Sequence, residues 1–297
     1  MPGYVVPGTV GGESQYRKNG KIDSAARRRF ARPARQASQI AFRRLSVSIR
    51  PAGSPWLPFG CAPDAAIRLL CLPHAGGGAS IYQAWGAGSL DGVAVCPIQP
   101  PGREKRRRDP ALTSAAELAR LLAHEIIAQV RPPYALWGHS TGALVAFELS
   151  RQIRRLGDPP PVHLFVSGRP APQLPMRLGK VSGLSVTELA AVLRHLGGTP
   201  QEVLDNENLL ALIHPLLVAD FKVNEEYAYQ FEDPLAVPLT VFAATQDPVT
   251  TLDEAAAWKL QAGSEFQMHT LDGGHFAVFD KALEMHEHVA ESLRSLL

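Results

Sequence analysis

Tyr134-Ala-Leu-Trp-Gly-His-Ser-Thr-Gly142 is the stretch from which the fold follows. Its first residues form a short apolar run of strand character. Thr141 opens a segment reaching Leu156 with apolar residues at helical spacing. Between the two stands G-x-S-x-G, with Gly138 and Gly142 flanking Ser140. A strand that turns straight into a helix needs glycines there, because side chains would collide with the adjoining strand and helix. Such a turn also leaves the central serine in a strained backbone conformation. Ser140 is thereby pushed clear of the sheet edge. The free N–H groups and positive dipole end of the following helix favour negative charge on an oxygen bound there. The alternative is an ordinary strand-to-helix turn, and the flanking pattern argues against it.

From about residue 65 short apolar runs alternate with longer amphipathic ones, the pattern of a parallel sheet with crossover helices. Strands are predicted at Ile67 to Leu72, Val93 to Pro97, Tyr134 to Gly138, Val162 to Ser167, Leu239 to Ala244 and Phe266 to Leu271. Helices are predicted at Ser114 to Val130, opened by a capping box of Ser114 and Glu117, and at Thr141 to Leu156, Thr251 to Ala262 and Ala282 to Leu297. The fold class is α/β, with a mostly parallel central sheet flanked by helices. The alternation lapses for about 70 residues between Ser167 and Leu239, where helices near Val186 to Leu196 and Asn206 to Lys222 replace strands. Ligands of open α/β sheets sit beyond the carboxyl ends of the strands, so this insertion reads as a lid over the site.

A serine hydroxyl needs a base to take its proton, and the chain offers ten histidines. His124, His195 and His214 lie on predicted helices, His163 and His269 within strands, and His286 and His288 in the last helix. His139 precedes Ser140 and is expected to project elsewhere. His275, in Leu271-Asp-Gly-Gly-His-Phe276, follows the last strand in a loop that two glycines allow to bend. It is the candidate base. The carboxylate that fixes its tautomer is expected to be Asp247, which follows the strand ending at Ala244 and so stands at the same sheet edge. Asp272, three residues from His275, reads as a turn residue. The order serine, acid, histidine is that of α/β hydrolases.

Acyl transfer also needs two donors for its oxyanion. Leu72-Pro-His-Ala-Gly-Gly-Gly-Ala79 follows the first strand, and the Ala75 and Thr141 backbone N–H groups are the two candidates. His74 is read as positioning this loop. The loop lacks the G-x-x-x-x-G-K-[ST] of a phosphate cradle and the full G-x-G-x-x-G of a dinucleotide site. His286-x-His288 has no third ligand at metal-binding spacing, so no metal site is assigned, and no cofactor is called for.

The 297 residues are 45% hydrophobic and 20% charged, which excludes a fibrous or wholly disordered chain. Cys61, Cys71 and Cys96 are odd in number and lack C-x-x-C spacing, which argues against a disulfide framework and favours a reducing, cytoplasmic setting. No run of about 18 apolar residues is present, so no membrane span is expected. The net charge of +2 hides an asymmetry, since residues 1–50 carry eleven Arg or Lys against Glu13 and Asp23, leaving −7 to the remainder. Residues 1–60 read as a basic, disordered extension, and residues 61–297 as the folded domain. The extension reads more readily as lying outside the fold, from a start codon placed too far upstream, than as a presequence or nucleic-acid arm, and no nucleic-acid partner is expected.

These motifs resemble the stand-alone type II thioesterases of polyketide and nonribosomal peptide synthesis. The resemblance runs from about Ile67 to the C-terminus. It rests on Leu72-Pro-His-Ala-Gly-Gly77, Pro101-Gly-Arg-Glu104, Gly138-His-Ser140 with Gly142-Ala-Leu-Val-Ala-Phe-Glu148, Gly197-Gly-Thr-Pro200, Asp220-Phe221, Asp247-Pro248 and Gly274-His-Phe276. It implies an α/β-hydrolase fold and an editing enzyme that removes acyl groups from the phosphopantetheine arm of carrier proteins. It carries over Ser140, Asp247 and His275 as a triad and a lid of about residues 178–233 shaping the acyl pocket. One departure is Thr141, where the family commonly has methionine, which makes the pocket wall smaller and more polar. Carrier proteins are generally acidic, so the basic run containing Arg103, Arg106 and Arg107 is a candidate docking patch on an expected monomer. The alternatives are a medium-chain fatty-acyl thioesterase or general carboxylesterase and, from another class, a silent carrier-binding scaffold.

Overall fold

The computed structural model describes residues 54–62, 64–87, 90 and 92–297. In chain order it contains β1 (Ile67–Leu72), β2 (Val93–Pro97), α1 (Ala115–Gln129), β3 (Tyr134–His139), α2 (Thr141–Leu156), β4 (Leu164–Ser167), α3 (Val186–Leu196), α4 (Gln201–Leu204), α5 (Glu207–Glu225), β5 (Leu239–Ala244), α6 (Leu252–Ala256), β6 (Phe266–Leu271), α7 (Ala277–Asp280) and α8 (Ala282–Leu293). The six strands form one sheet in the order β2-β1-β3-β4-β5-β6, and every neighbouring pair is parallel. A parallel sheet sends all its strand ends to one edge. The loops after β1, β3, β5 and β6, which carry the candidate donors, nucleophile, acid and base, therefore meet there.

Side chains alternate across each strand and build a core on both faces. Leu70, Leu72, Leu136, Leu164 and Val166 pack with α1 and α2 on one side. Ile67, Leu69, Ala135, Trp137 and Phe165 pack with Met285, Val289 and Leu293 of α8 and with Tyr82 and Trp85 on the other. Tyr82 and Trp85 belong to a 3₁₀ segment, Ala79–Ala87, that periodicity did not reveal. The insertion after β4 has its own apolar cluster, in which Leu189 and Leu193 of α3 meet Leu210, Leu217 and Phe221 of α5.

All six strands and the lid helices occupy their predicted places, with small differences. The helix expected from Thr251 to Ala262 is α6 followed by a 3₁₀ segment, Ala257–Gln261. Ser114 accepts from the Glu117 N–H, while reciprocal capping boxes occur instead at Ser185 with Glu188 and at Thr251 with Glu254. The domain boundary expected at residue 60 falls too late, because Trp56 and Leu57 are buried in the core and the Gln99 N–H donates to Trp56 O at 2.8 Å. The rest of the basic extension, residues 1–53, lies outside the described residues. The expectation against disulfide pairing is also overturned at one pair. Cys61 is joined to Cys96 of β2 with the Cα atoms 5.2 Å apart, and Cys71 is free and buried. Among the described residues no helix is long and apolar enough to cross a membrane.

Candidate active site

At the end of β3 the chain turns as the glycine spacing requires. Ser140 has φ 55° and ψ −118°, outside the regions an L-residue ordinarily occupies. A Cβ on Gly138 would lie 2.2 Å from the Gly142 carbonyl oxygen, and one on Gly142 would lie 2.2 Å from that of Leu72. Both contacts are with backbone and cannot be relieved by a rotamer change. The Ser140 N–H donates to Ser167 O of β4 at 2.8 Å, which holds the strained residue in register with the sheet.

His275 sits in the loop between β6 and α7. Its Nδ1 is 3.0 Å from each carboxylate oxygen of Asp247, and both side chains are buried. The Val249 N–H also donates to Asp247 Oδ1 at 2.8 Å, anchoring the carboxylate from its own loop. A carboxylate facing Nδ1 assigns the proton to that nitrogen and leaves Nε2 as the acceptor. Ser140 and His275 line the same cavities. Asp272 instead accepts from the Thr245 hydroxyl at 3.0 Å on the exposed side of its turn.

The loop after β1 has most of its amides committed. Gly76 N–H donates to Asp220 Oδ2 at 2.7 Å, Gly77 N–H to His74 O at 3.0 Å, and Ala79 N–H to Gln99 Oε1 at 3.0 Å. The Ala75 carbonyl is met by His74 Nδ1 at 2.8 Å. Thr141 is the first residue of α2, where no preceding turn supplies an acceptor for its N–H. Burial pushes the His74 imidazole down to about 4, so it is neutral at pH 7.

Arg103 is not a docking residue. Its guanidinium is only 7% exposed and makes two 2.7 Å bonds to Asp220 of α5, with a further bond to Gly77 O. Together with the Gly76 bond, this pair ties α5 to the loop after β1. Arg106 is also largely engaged, lying 4.5 Å over the Trp56 ring and 2.8 Å from Asp109. Arg107 is exposed, as are its neighbours Lys105 and Arg108, and these remain open to solvent partners. The turn that carries the run is strained. Glu104 has φ 47° and accepts from the Ser80 hydroxyl at 2.6 Å.

Two features escaped sequence reasoning. His139, expected to point away, is fully buried with its ring centroid 4.8 Å from that of His275 and Nδ1 2.8 Å from the Ser167 hydroxyl. Burial, and then His275 and His74 nearby, push it well below its ordinary value. The second is a polar chain beside the elbow. Asn224 Nδ2 donates to Thr141 Oγ1 at 2.7 Å, and Arg169 Nε donates to Asn224 Oδ1 at 3.2 Å. Local sequence carries no sign of contacts between segments this far apart. His286 and His288 face different neighbours, Trp85 and His269, and no grouping of three metal-ligating side chains occurs among the described residues.

The model of the thioesterase domain family matches residues 67–297. Among curated proteins, the gramicidin S biosynthesis protein GrsT of Aneurinibacillus migulanus is 39% identical over 233 residues, covering 78% of this chain and 91% of that protein. Among solved structures, RedJ, a thioesterase from the prodiginine pathway of Streptomyces coelicolor, superposes with a TM-score of 0.73 at 34% identity, covering 80% of this chain and 92% of that one. BorB, a type II thioesterase from the borrelidin biosynthetic cluster, gives 0.73 at 36% identity, with coverage of 81% and 98%.

Proposed function

The chain belongs to the thioesterase family, and from that premise we infer that it is an editing type II thioesterase that hydrolyses acyl groups from the phosphopantetheine arm of carrier proteins in polyketide or nonribosomal peptide synthesis. Ser140, His275 and Asp247 are its triad, and the Ala75 and Thr141 amides its oxyanion donors. The observation that carries this reading is the 3.0 Å pairing of His275 with Asp247 in the wall of a cavity that also holds Ser140.

Ser140 Oγ attacks the thioester carbonyl while its proton passes to His275 Nε2, and the resulting imidazolium is stabilised by Asp247. Negative charge collects on the carbonyl oxygen, where two fixed amides meet it without reorganisation. The C–S bond breaks and the thiol leaves with the proton from His275. Water then attacks the acyl-serine with His275 again as base, giving carboxylic acid, free thiol and the starting enzyme.

The basic residues Lys105, Arg107 and Arg108 follow Glu104, which lines the same cavity of about 450 Å³ as Ser140. An acidic carrier docked on that run would present its arm at this mouth, past the oxyanion loop. The test is a panel of acyl-loaded carrier proteins read by intact mass. The wild type should remove the acyl mass and Ser140→Ala should not. Equal removal by Ser140→Ala would overturn the assignment.

A further inference from the structure

Arg169 lies just beyond β4 and is buried, with 3% of its surface exposed. Among the described residues no carboxylate lies within ion-pair distance of it. Its Nε reaches Asn224 Oδ1 at 3.2 Å, its Nη1 reaches Pro170 O at 3.1 Å, and the guanidinium stands 5.8 Å from the Tyr227 ring centroid. The nearby acids are taken up elsewhere. Glu148 accepts from Arg151 and Tyr227, and Glu225 accepts from the Val181 and Ser182 amides. Burial lowers the Arg169 guanidinium to about 10, which still leaves it charged at neutral pH. Glu148 offsets part of that burial from beyond ion-pair distance, and a buried cation with no direct anionic partner is still costly, so its presence asks what else compensates it.

Its surroundings give the answer. Arg169 and Asn224 line a cavity of about 540 Å³. Met176, Leu178, Gly179, Asn224 and Glu225 also line a narrow neck whose remaining wall includes Ser140, Thr141 and His275. The cavity thus shares five lining residues with a neck that reaches the nucleophile. The two hydrogen bonds that join Arg169 to Thr141 span a single carboxamide, which puts the guanidinium within roughly 8 Å of Thr141 Oγ1. The phosphate of a pantetheine arm is too distant from the thioester to reach a group so near the nucleophile. Resting on the thioesterase reading, we propose that Arg169 is a specificity residue for acyl groups ending in a carboxylate, that is, ω-carboxyacyl thioesters with a chain of about four to six carbons. Asn224 orients the guanidinium, and Thr141 leaves open a path that a bulkier side chain would narrow.

The test compares glutaryl, monomethyl-glutaryl and pentanoyl thioesters of N-acetylcysteamine. Wild-type kcat/KM for glutaryl should exceed that for its methyl ester at least tenfold, since only the charged terminus can make a charge-assisted bond to the guanidinium. Faster or equal turnover of the methyl ester overturns the proposal. Arg169→Met should lower the glutaryl-to-pentanoyl ratio at least tenfold, and Arg169→Lys should retain part of it. A parallel fall on both substrates, with the ratio unchanged, is what a purely structural arginine would give and also overturns it. Absence of wild-type turnover on all three would instead sink the underlying thioesterase reading, and this inference with it.

Discussion

Replacing Asp220 by alanine removes the acceptor of three 2.7 Å hydrogen bonds at once, two from Arg103 and one from the Gly76 amide. The guanidinium left behind is buried, retaining only its bonds to Pro101 O and Gly77 O. Stranding one partner of a buried ion pair costs about 3–5 kcal/mol, and an unsatisfied buried amide adds about 1 kcal/mol. Against a typical stability of about 5–15 kcal/mol, this is a large fraction of the total. With an m-value of about 3 kcal/mol/M, the urea midpoint should fall by roughly 1–2 M. Activity should fall separately. Gly76 adjoins Ala75, and a loop that no longer holds that amide in place forfeits a donor worth about 10² to 10³ in kcat. The double variant Arg103→Met/Asp220→Leu separates the two effects. Apolar side chains of similar size should restore most of the midpoint, since such exchanges at buried pairs are often neutral. They supply no acceptor for Gly76, so kcat should stay low. Asp220→Ala with a midpoint shift under about 0.3 M, or a double variant that regains full kcat, would refute the coupling of lid to oxyanion loop.

Three further outcomes are expected. Asp247→Asn should preserve the fold but lower kcat by about 10³ to 10⁴ with little change in KM, because the amide favours the wrong imidazole tautomer; steady-state kinetics on one acyl thioester decides it. Stability should decline as pH falls from 6.5 towards 4. Burial holds His74 and His163 near 4 in the fold, so the unfolded chain binds more protons across that window. Each contributes a slope of about 1.4 kcal/mol per pH unit. Urea midpoints for wild type and His163→Gln should therefore diverge at neutral pH and converge near pH 4, and parallel profiles would contradict this. Finally, Arg107→Glu/Arg108→Glu should raise KM for an acyl-carrier protein several-fold at low salt while leaving a small acyl thioester unaffected. Equal effects on both would remove the docking patch.

What sequence alone revealed was local or periodic. The strands around Ser140 are legible because burial on both faces demands continuous apolar runs. The elbow is legible because two backbone contacts at 2.2 Å forbid a Cβ at Gly138 and Gly142. Asp247 and His275 followed from topology, since parallel strands deliver their following loops to one edge. What was misread depends on partners remote in sequence. Arg103 looked like part of a solvated basic run, and its true partner, Asp220, lies 117 residues away. Cys61 and Cys96 carry no spacing signal across 35 residues. His139 was set aside on the direction a residue before the elbow should take, whereas the space beneath His275 accepts its ring. Trp56 was assigned to the extension because an aromatic residue among prolines and glycines shows no period.

One face of α5 bears on how such a site is tuned. On α5, Leu217, Asp220, Phe221, Asn224 and Glu225 recur at the three- and four-residue intervals that bring side chains to one helix face. Leu217 lies where a Gly76 side chain would be, Asp220 holds the Gly76 amide, and Phe221 lines both cavities that Ser140 lines. Asn224 meets Thr141 and Arg169, while Glu225 fixes the start of the lid through Val181 and Ser182. One helix of the insertion thus touches the oxyanion loop, the nucleophile's neighbour and the far end of the acyl path, yet contributes nothing to the Asp247–His275 pair. Substitutions along that face can therefore alter which acyl group fits without disturbing proton transfer. Asp220 is the exception, because it also fixes the loop on which Ala75 stands. Acyl preference should accordingly change most readily at 221 and 224, and catalysis most sharply at 220.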